Sequence, residues 1–327
     1  MKINIVLPLK DNWIFEDIAK KLKKNIEKKK FKVKITKFPL KNFDVYHHIS
    51  YLNCDYKTIF KDKVNTAMIT HIDTTSKLNI VLKLNDYIDC FTVQSLQTKK
   101  YISKFLEKIK TKVIYVPPND KIKFNKIKLG IFSNKYPDGR KNEKILIKTL
   151  KKLNKDFFEI YIMGQNWEKE IEQIKKLKFY CYYIKKFNIN IYNNILKKID
   201  YLLYLGFDEG SISFMDGLKS GTKLIVTNQG FHQDFSKFID CKINNINYDL
   251  DNFLSKIQQK IIIKNKFINQ INYKNFTKKH LDLWTQIADN KKRYNKKTKS
   301  SKNDINLIKK TINRKLNIFK YKILNEF

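Results

Sequence analysis

Residues 201–235 of the chain read YLLYLGFDEGSISFMDGLKSGTKLIVTNQGFHQDF. Tyr201–Leu205 is a short apolar run that ends at a glycine and reads as a β-strand. An Asp208-Glu209-Gly210 turn follows, and Ser211 stands where a helix N-terminus favours a hydroxyl. That helix carries Asp216 and stops at Ser220-Gly221, because glycine accepts the left-handed backbone that ends helices. Lys223–Thr227 is a second β-branched run, followed by a turn at Gly230. Strand, helix and strand in that order predict a parallel pair joined by a crossover helix, the repeating unit of an α/β fold.

The same alternation extends in both directions. Towards the N-terminus, strands are predicted at Lys128–Ser133, Phe158–Gly164 and Phe179–Ile184, with helices at Asn142–Leu153, Trp167–Leu177 and Ile191–Lys197. Pro117-Pro118-Asn119-Asp120 breaks the pattern, since proline lacks an amide donor and restrains its neighbour. Before that break lie strand candidates Lys2–Pro8, Phe31–Lys37, Asp44–His48, Val64–His71, Ile88–Val93 and Val113–Val116. Helices are expected at Trp13–Lys29, Thr74–Leu84 and Gln94–Lys110, the first with Ile14, Ile18, Leu22 and Ile26 at four-residue spacing. Beyond residue 249 the pattern turns helical, at Leu250–Ile263 and Phe276–Ala288. Asn290–Asn303 reads as a polar linker and Asp304–Leu324 as a basic amphipathic helix. The expected division is 1–118, 119–289 and a basic tail at 290–327. The fold class is α/β, with two Rossmann-like domains facing a central cleft and a helical C-terminal extension.

At 42% hydrophobic and 13% aromatic residues over 327 positions, the chain can fill real cores, which excludes disorder for most of its length. Its 68 Lys+Arg against 31 Asp+Glu give a net charge of +37, yet only Arg140, Arg293 and Arg314 are arginine. Base-specific nucleic-acid readers lean on arginine's bidentate fork, so no specific nucleic-acid partner is expected. The excess of Lys, Asn, Ile, Tyr and Phe matches A- and T-rich codon usage. The clusters Lys20–Lys34 and Lys291–Lys302 nonetheless suit an anionic membrane surface. Cys54, Cys90, Cys181 and Cys241 are scattered and form no CxxC pair, as in a cytoplasmic protein with reduced thiols. No apolar run approaches the roughly 18 residues of a spanning helix, and Ile3–Leu9 is too short for a signal-peptide core. His47 and His48, adjacent on a strand, would face opposite ways and make no metal site.

The 201–235 segment also carries the chemistry. Unpaired amides and the positive dipole at a helix N-terminus suit a phosphate, nearby carboxylates can accept sugar and ribose hydroxyls, and Gly210 lets a ligand approach the backbone. This arrangement resembles the donor site of GT-B glycosyltransferases, especially the large retaining group classed as family 4. Asp216-Gly-Leu-Lys-Ser-Gly-Thr-Lys-Leu-Ile-Val is similar to the second half of that family's acidic signature. The first half departs from it. Asp208 and Asp216 keep the family's seven intervening residues but are both aspartate, whereas Glu209 is a glutamate with six.

By the resemblance, Asp216 holds the donor ribose, the Asp208/Glu209 turn the donor sugar, and Gly210, Ser211 and Gly230 the surrounding turns. LGIFSNKYPDGRKNEK at Leu129–Lys144 looks like the family's strand, loop and basic helix start. It makes Arg140 and Lys141 the candidates for neutralising the leaving diphosphate. The family's arginine usually directly follows the strand, where this chain has Asn134, and Asn142 replaces its glycine. FEIYIMGQNW at Phe158–Trp167 puts Gly164 at a ligand-facing turn, and MITHID at Met68–Asp73 makes His71 a contact to the donor sugar or reacting centre. The helix Phe276–Ala288 resembles the family's terminal helix, which crosses back to the first domain. The implied activity is transfer of a sugar from a nucleotide-diphosphate sugar to a glycan or lipid-linked acceptor, with retention and without a bound metal or other cofactor. Competing readings are a nucleotide-sugar epimerase on the same fold, an inactive homologue, and a basic binder of anionic polymers.

Overall fold

The computed structural model describes residues 1–7, 13–106, 110–245 and 248–298. Its contacts resolve into two compact units, one of Met1–Asp120 together with the chain from Asn269 onward, the other of Lys121–Ile268.

The first unit is a six-stranded parallel sheet of β1 (Lys2–Val6), β2 (Lys32–Thr36), β3 (Val45–His48), β4 (Val64–Ile69), β5 (Cys90–Val93) and β6 (Thr111–Val113). The strand order is β2-β1-β3-β4-β5-β6. Every residue of β3, β4 and β5 is buried, the signature of parallel strands covered on both faces. Helix α1 (Trp13–Glu27) lays Ile18, Leu22 and Ile26 on the core, as its spacing predicts. Ile14, expected on the same stripe, is instead 48% exposed, because the stripe meets the sheet only from Ile18 onward. Helices α2 (Thr75–Leu84) and α3 (Leu96–Ile102) follow β4 and β5, each opened by a hydroxyl cap, Thr74 and Ser95. The last strand, β6, runs over 111–113 rather than 113–116, its register set by Phe91↔Thr111 pairing with β5.

The second unit is also a six-stranded parallel sheet: β7 (Ile127–Phe132), β8 (Phe158–Met163), β9 (Tyr180–Ile184), β10 (Tyr201–Tyr204), β11 (Lys223–Thr227) and β12 (Cys241–Ile243). Between and after these strands come α4 (Glu143–Leu150), α5 (Glu168–Lys176), α6 (Ile189–Leu196), α7 (Ile212–Ser220) and α8 (Asp249–Gln270). The order β12-β11-β10-β7-β8-β9 puts the first and fourth strands of the unit side by side. This is the Rossmann order, and the chain reverses its winding between β7 and β10. Ligands of such sheets bind beyond the carboxyl ends of the strands at that reversal. Strand β12 was invisible to pattern reading because CKI is too short to show a period.

The final helix, α9 (Tyr273–Thr298), belongs to the first unit, not the second. Tyr273, Phe276, Leu281, Leu283 and Trp284 enter the core formed by β1, β3 and α1. Trp284 Nε1 donates to Thr66 Oγ1 at 3.0 Å, and Lys291 pairs with Asp89 at 2.8 Å. The second unit therefore closes at Ile268 instead of 289. Residues 290–298, expected as linker, continue this helix. No glycine or proline interrupts them, and Lys291 is anchored to Asp89 and to the carbonyls of Lys61 and Lys63. The tail helix expected at 304–324 lies outside the described residues.

Candidate active site

The end of β7 and the end of β10 bring Lys141 and Asp208 together, 67 positions apart in sequence. Lys141 follows a loop in which Gly139 turns the chain, and Asn142 takes a left-handed conformation as α4 starts. Asn142 spends its side-chain amide on the Leu205 carbonyl at 2.6 Å. This ties the start of α4 to the end of β10 and leaves the helix N-terminus without a side-chain cap. Lys141 is only 9% exposed. Its Nζ donates to Asp208 Oδ2 at 2.7 Å and to the Tyr204 hydroxyl, and that hydroxyl donates in turn to Asp208 Oδ1. Gly210 N adds a longer bond to the same oxygen at 3.3 Å.

Burial works against ionising Asp208, but the hydrogen bonds from Lys141 and Tyr204 outweigh it and hold the carboxyl below its ordinary range. Burial first, then the hydrogen bond to Asp208, pushes the Tyr204 phenol upward, so it stays a neutral donor. Lys141, Tyr204 and Asp208 thus form a closed unit in which both carboxylate oxygens are engaged. Glu209, the next residue, is exposed, and its carboxylate has no hydrogen-bond or ion-pair partner among the described residues. Its backbone carbonyl accepts from Phe231 N at 3.0 Å.

That backbone contact explains Gly230. With φ +54, a Cβ there would sit 2.2 Å from the Glu209 carbonyl oxygen, so only glycine lets the two turns close on each other. Gly164 does the same at the neighbouring strand end, where a Cβ would lie 2.1 Å from the Ser133 carbonyl oxygen. Trp167 Nε1 donates to that same carbonyl at 2.7 Å. Gly210 packs beneath the Phe231 ring.

Helix α7 starts at this turn. Ser211 does not cap it; its Oγ pairs with Ser213 Oγ at 2.6 Å. The Ser211 amide donates to His232 Nε2 at 3.2 Å, while the other ring nitrogen of His232 lies 3.0 Å from the Thr227 carbonyl. A carbonyl only accepts, so Nδ1 carries the proton and Nε2 the lone pair. Burial keeps the ring neutral by lowering its pKa. His232 is fully buried against Phe214, Tyr204 and Phe231, and it fixes the first amide of α7. The Ile212 and Ser213 amides have no acceptor among the described residues and point the positive end of the helix dipole at the site. One turn on, Asp216 accepts from the Tyr192 hydroxyl of α6 at 2.7 Å.

Arg140 precedes Lys141 but faces solvent. Its guanidinium binds Asp138 through Nε at 2.7 Å and Nη2 at 2.6 Å and lies over the Tyr136 ring. His71 belongs to the first unit, just beyond β4. Lys77 Nζ, 2.8 Å from His71 Nε2, can only donate, so Nδ1–H points to Thr70 Oγ1 at 2.9 Å. The ring borders a cavity of about 490 Å³ with Gln97, Lys100 and Lys104.

The structure therefore gathers Lys141, Asp208, Glu209, Gly210, Ser211 and Gly230 at one strand-end locus, with Asp216 a helical turn along α7, and places Arg140 on its rim. Sequence reading missed Tyr204, His232 and Tyr192. The only trace of them was position: Tyr204 closes β10 four residues before Asp208, and His232 follows the glycine turn. Among the described residues no group of three or more His, Cys, Asp or Glu converges as a metal site. No helix there is long and apolar enough to cross a membrane.

No known family profile matches the chain, and no curated protein does. Solved structures do resemble it. The Anabaena protein Alr3699/HepE in complex with UDP and glucose is 12% identical, covering 89% of this chain and 99% of its own at a TM-score of 0.33. A glycosyltransferase from Rickettsia africae is 14% identical, covering 88% and 98% at 0.35. The lipopolysaccharide outer core galactosyltransferase WaaB is 13% identical, covering 88% and 99% at 0.35. Likeness at this level carries no functional argument, which rests instead on the residues of the site.

Proposed function

We propose that the chain is a glycosyltransferase that moves a sugar from a nucleotide-diphosphate sugar to a glycan or lipid-linked acceptor. The observation that carries this reading is the buried Lys141 held by Asp208 and Tyr204 at the winding reversal of the second sheet, beside the uncapped N-terminus of α7. A fixed cation and free helix amides suit a diphosphate whose charge grows as the sugar leaves. In this assignment Lys141 stabilises the leaving group and Arg140 joins it by exchanging Asp138 for phosphate. Asp216 takes the ribose hydroxyls. In this reading Glu209 is the sugar ligand; what supports it is that Asp208 has both oxygens engaged and acts as a positioning residue for Lys141.

The first unit serves the acceptor side, and His71 contacts the donor sugar or the reacting centre. Retention at the anomeric carbon, no requirement for metal, and a role in cell-surface polysaccharide or glycolipid synthesis follow the family resemblance. A cytoplasmic site of action at the membrane's inner face, reached through lysine-rich segments, completes the reading.

Thermal stabilisation against UDP, GDP, ADP and CMP at about 150 mM salt tests it. A ligand at a hundredfold excess over its dissociation constant adds about 2.7 kcal/mol. One nucleoside diphosphate is expected to stand out and to lose its effect in Lys141→Ala and Asp216→Ala. A flat panel with only salt-sensitive polyanion binding would replace the proposal with a basic binding protein.

A further inference from the structure

Helix α8 buries one face and exposes another that its own unit leaves uncovered. Leu250, Leu254 and Ile261, at spacings of four and seven, are the buried residues. Ile263 follows Ile261 by two positions, about 200° round the helix, and so points away from that core. Ile262, Ile263 and Phe267 are 45%, 68% and 56% exposed. Large apolar side chains gathered on one stretch of surface mark an interaction site rather than ordinary scatter.

The charges around them name the partner. Lys256, Lys260 and Lys266 lie on the outer half of the helix and Lys264 flanks it, all four exposed. From Asn252 to Leu281 the chain carries seven lysines and no acidic residue. The two aspartates of α8 lie in its first turn and are engaged there, Asp251 by Lys152 and Thr149 and Asp249 by the Asn244 amide. An exposed Ile-Ile-Phe set ringed by lysines without a carboxylate is the make-up of a helix that lies in a lipid interface, apolar side chains inserted and ammonium groups at the phosphates.

We infer that the outer face of α8, through Ile262, Ile263 and Phe267 with Lys260, Lys264 and Lys266, docks on an anionic phospholipid surface. This deepens the membrane part of the proposed function by naming its surface. It does not depend on the transfer reaction.

The test is co-sedimentation of the full chain with phosphatidylcholine vesicles, with and without about one-third phosphatidylserine, at about 150 mM salt. Ile263→Asp/Phe267→Asp should lower binding to anionic vesicles at least tenfold. Each of Lys260→Gln, Lys264→Gln and Lys266→Gln should cost about fivefold. Lys169→Gln/Lys175→Gln/Lys176→Gln on α5, exposed lysines that together carry as much charge as those three, should cost far less. Nucleotide-induced stabilisation, measured on the same variants, should be unchanged, so that failure of docking and failure of the donor site are read separately. Phe267→Trp should show added quenching by brominated lipid. Unaltered binding by the double aspartate variant would overturn the inference. So would a loss in the α5 variant as large as that of the three α8 lysine changes combined, or a double variant that turns a dimer into a monomer while still binding vesicles.

Discussion

Lowering the pH from 7 to 5 should destabilise the first unit by several kcal/mol, through histidines that have no role in the proposed chemistry. His47, His48 and His280 are 0%, 2% and 1% exposed. His47 and His280 meet edge to face beside Trp284. His280 Nδ1 donates to the Phe276 carbonyl at 2.9 Å, and His47 Nδ1 lies 2.9 Å from Thr66 Oγ1. The Nε2 atoms of all three, and His48 Nδ1, are buried without a partner among the described residues. A second proton on any of these rings would be an unsolvated charge. Burial accordingly brings both His48 and His280 down to about 4 and drives His47 well below its ordinary value.

The sign follows from proton uptake. Below the unfolded value of about 6.5 the unfolded chain binds protons that the folded chain refuses until about pH 4, so stability falls with pH across that window and levels off beneath it. At pH 5 the unfolded value is about 1.5 units above the pH, and at 1.36 kcal/mol per unit each histidine costs about 2 kcal/mol. His48 and His280 together account for about 4 kcal/mol. Urea unfolding at the two pH values, followed by Trp fluorescence and by hydrogen exchange of α9, reads this loss. Replacing His280 by Leu should remove about 2 kcal/mol of the pH dependence. A midpoint that does not move between pH 7 and pH 5, or a pH dependence untouched in His280→Leu, would refute the reasoning.

Further outcomes follow from the candidate site. Tyr204→Phe keeps the ring and removes the hydroxyl that joins Lys141 to Asp208; nucleotide-diphosphate affinity should fall about tenfold by calorimetry, with about 1 kcal/mol of stability lost. His232→Leu leaves the Ser211 amide buried and unpaired, while the Thr227 carbonyl keeps its bond from Gln229 N; the change should cost about 1–3 kcal/mol in denaturant unfolding and weaken nucleotide binding at α7. Gly230→Ala forces a methyl group against the Glu209 carbonyl and should cost more than about 2 kcal/mol, visible as a lowered Tm, whereas Gly139→Ala, in open space, should cost less.

Local sequence determined the elements and most of their kinds. The run VNTAMI reads as a buried strand because Val64, Thr66 and Ile69 are β-branched and suit a pleated sheet covered on both faces. The DEGS turn and the Ser220-Gly221 stop marked the ends of α7 to within a residue, since turn-forming residues and a left-handed glycine are local properties, even though Ser211 makes no side-chain cap. Lys141, Asp208, Glu209 and Asp216 were legible for the same reason, as polar groups beside turns at strand ends.

What the tertiary structure decided is which of these groups meet. That Asp208 holds Lys141 while Glu209 stays free depends on β7 and β10 lying side by side, a pairing between residues more than sixty positions apart that no local period encodes. The roles of Tyr204 and His232 depend on the same adjacency. So does the return of α9 to the first unit, where Trp284 reaches Thr66 across 218 positions. Propensity and capping act within a turn or two of chain, whereas the partner of a buried polar group is set by whichever strand order buries it.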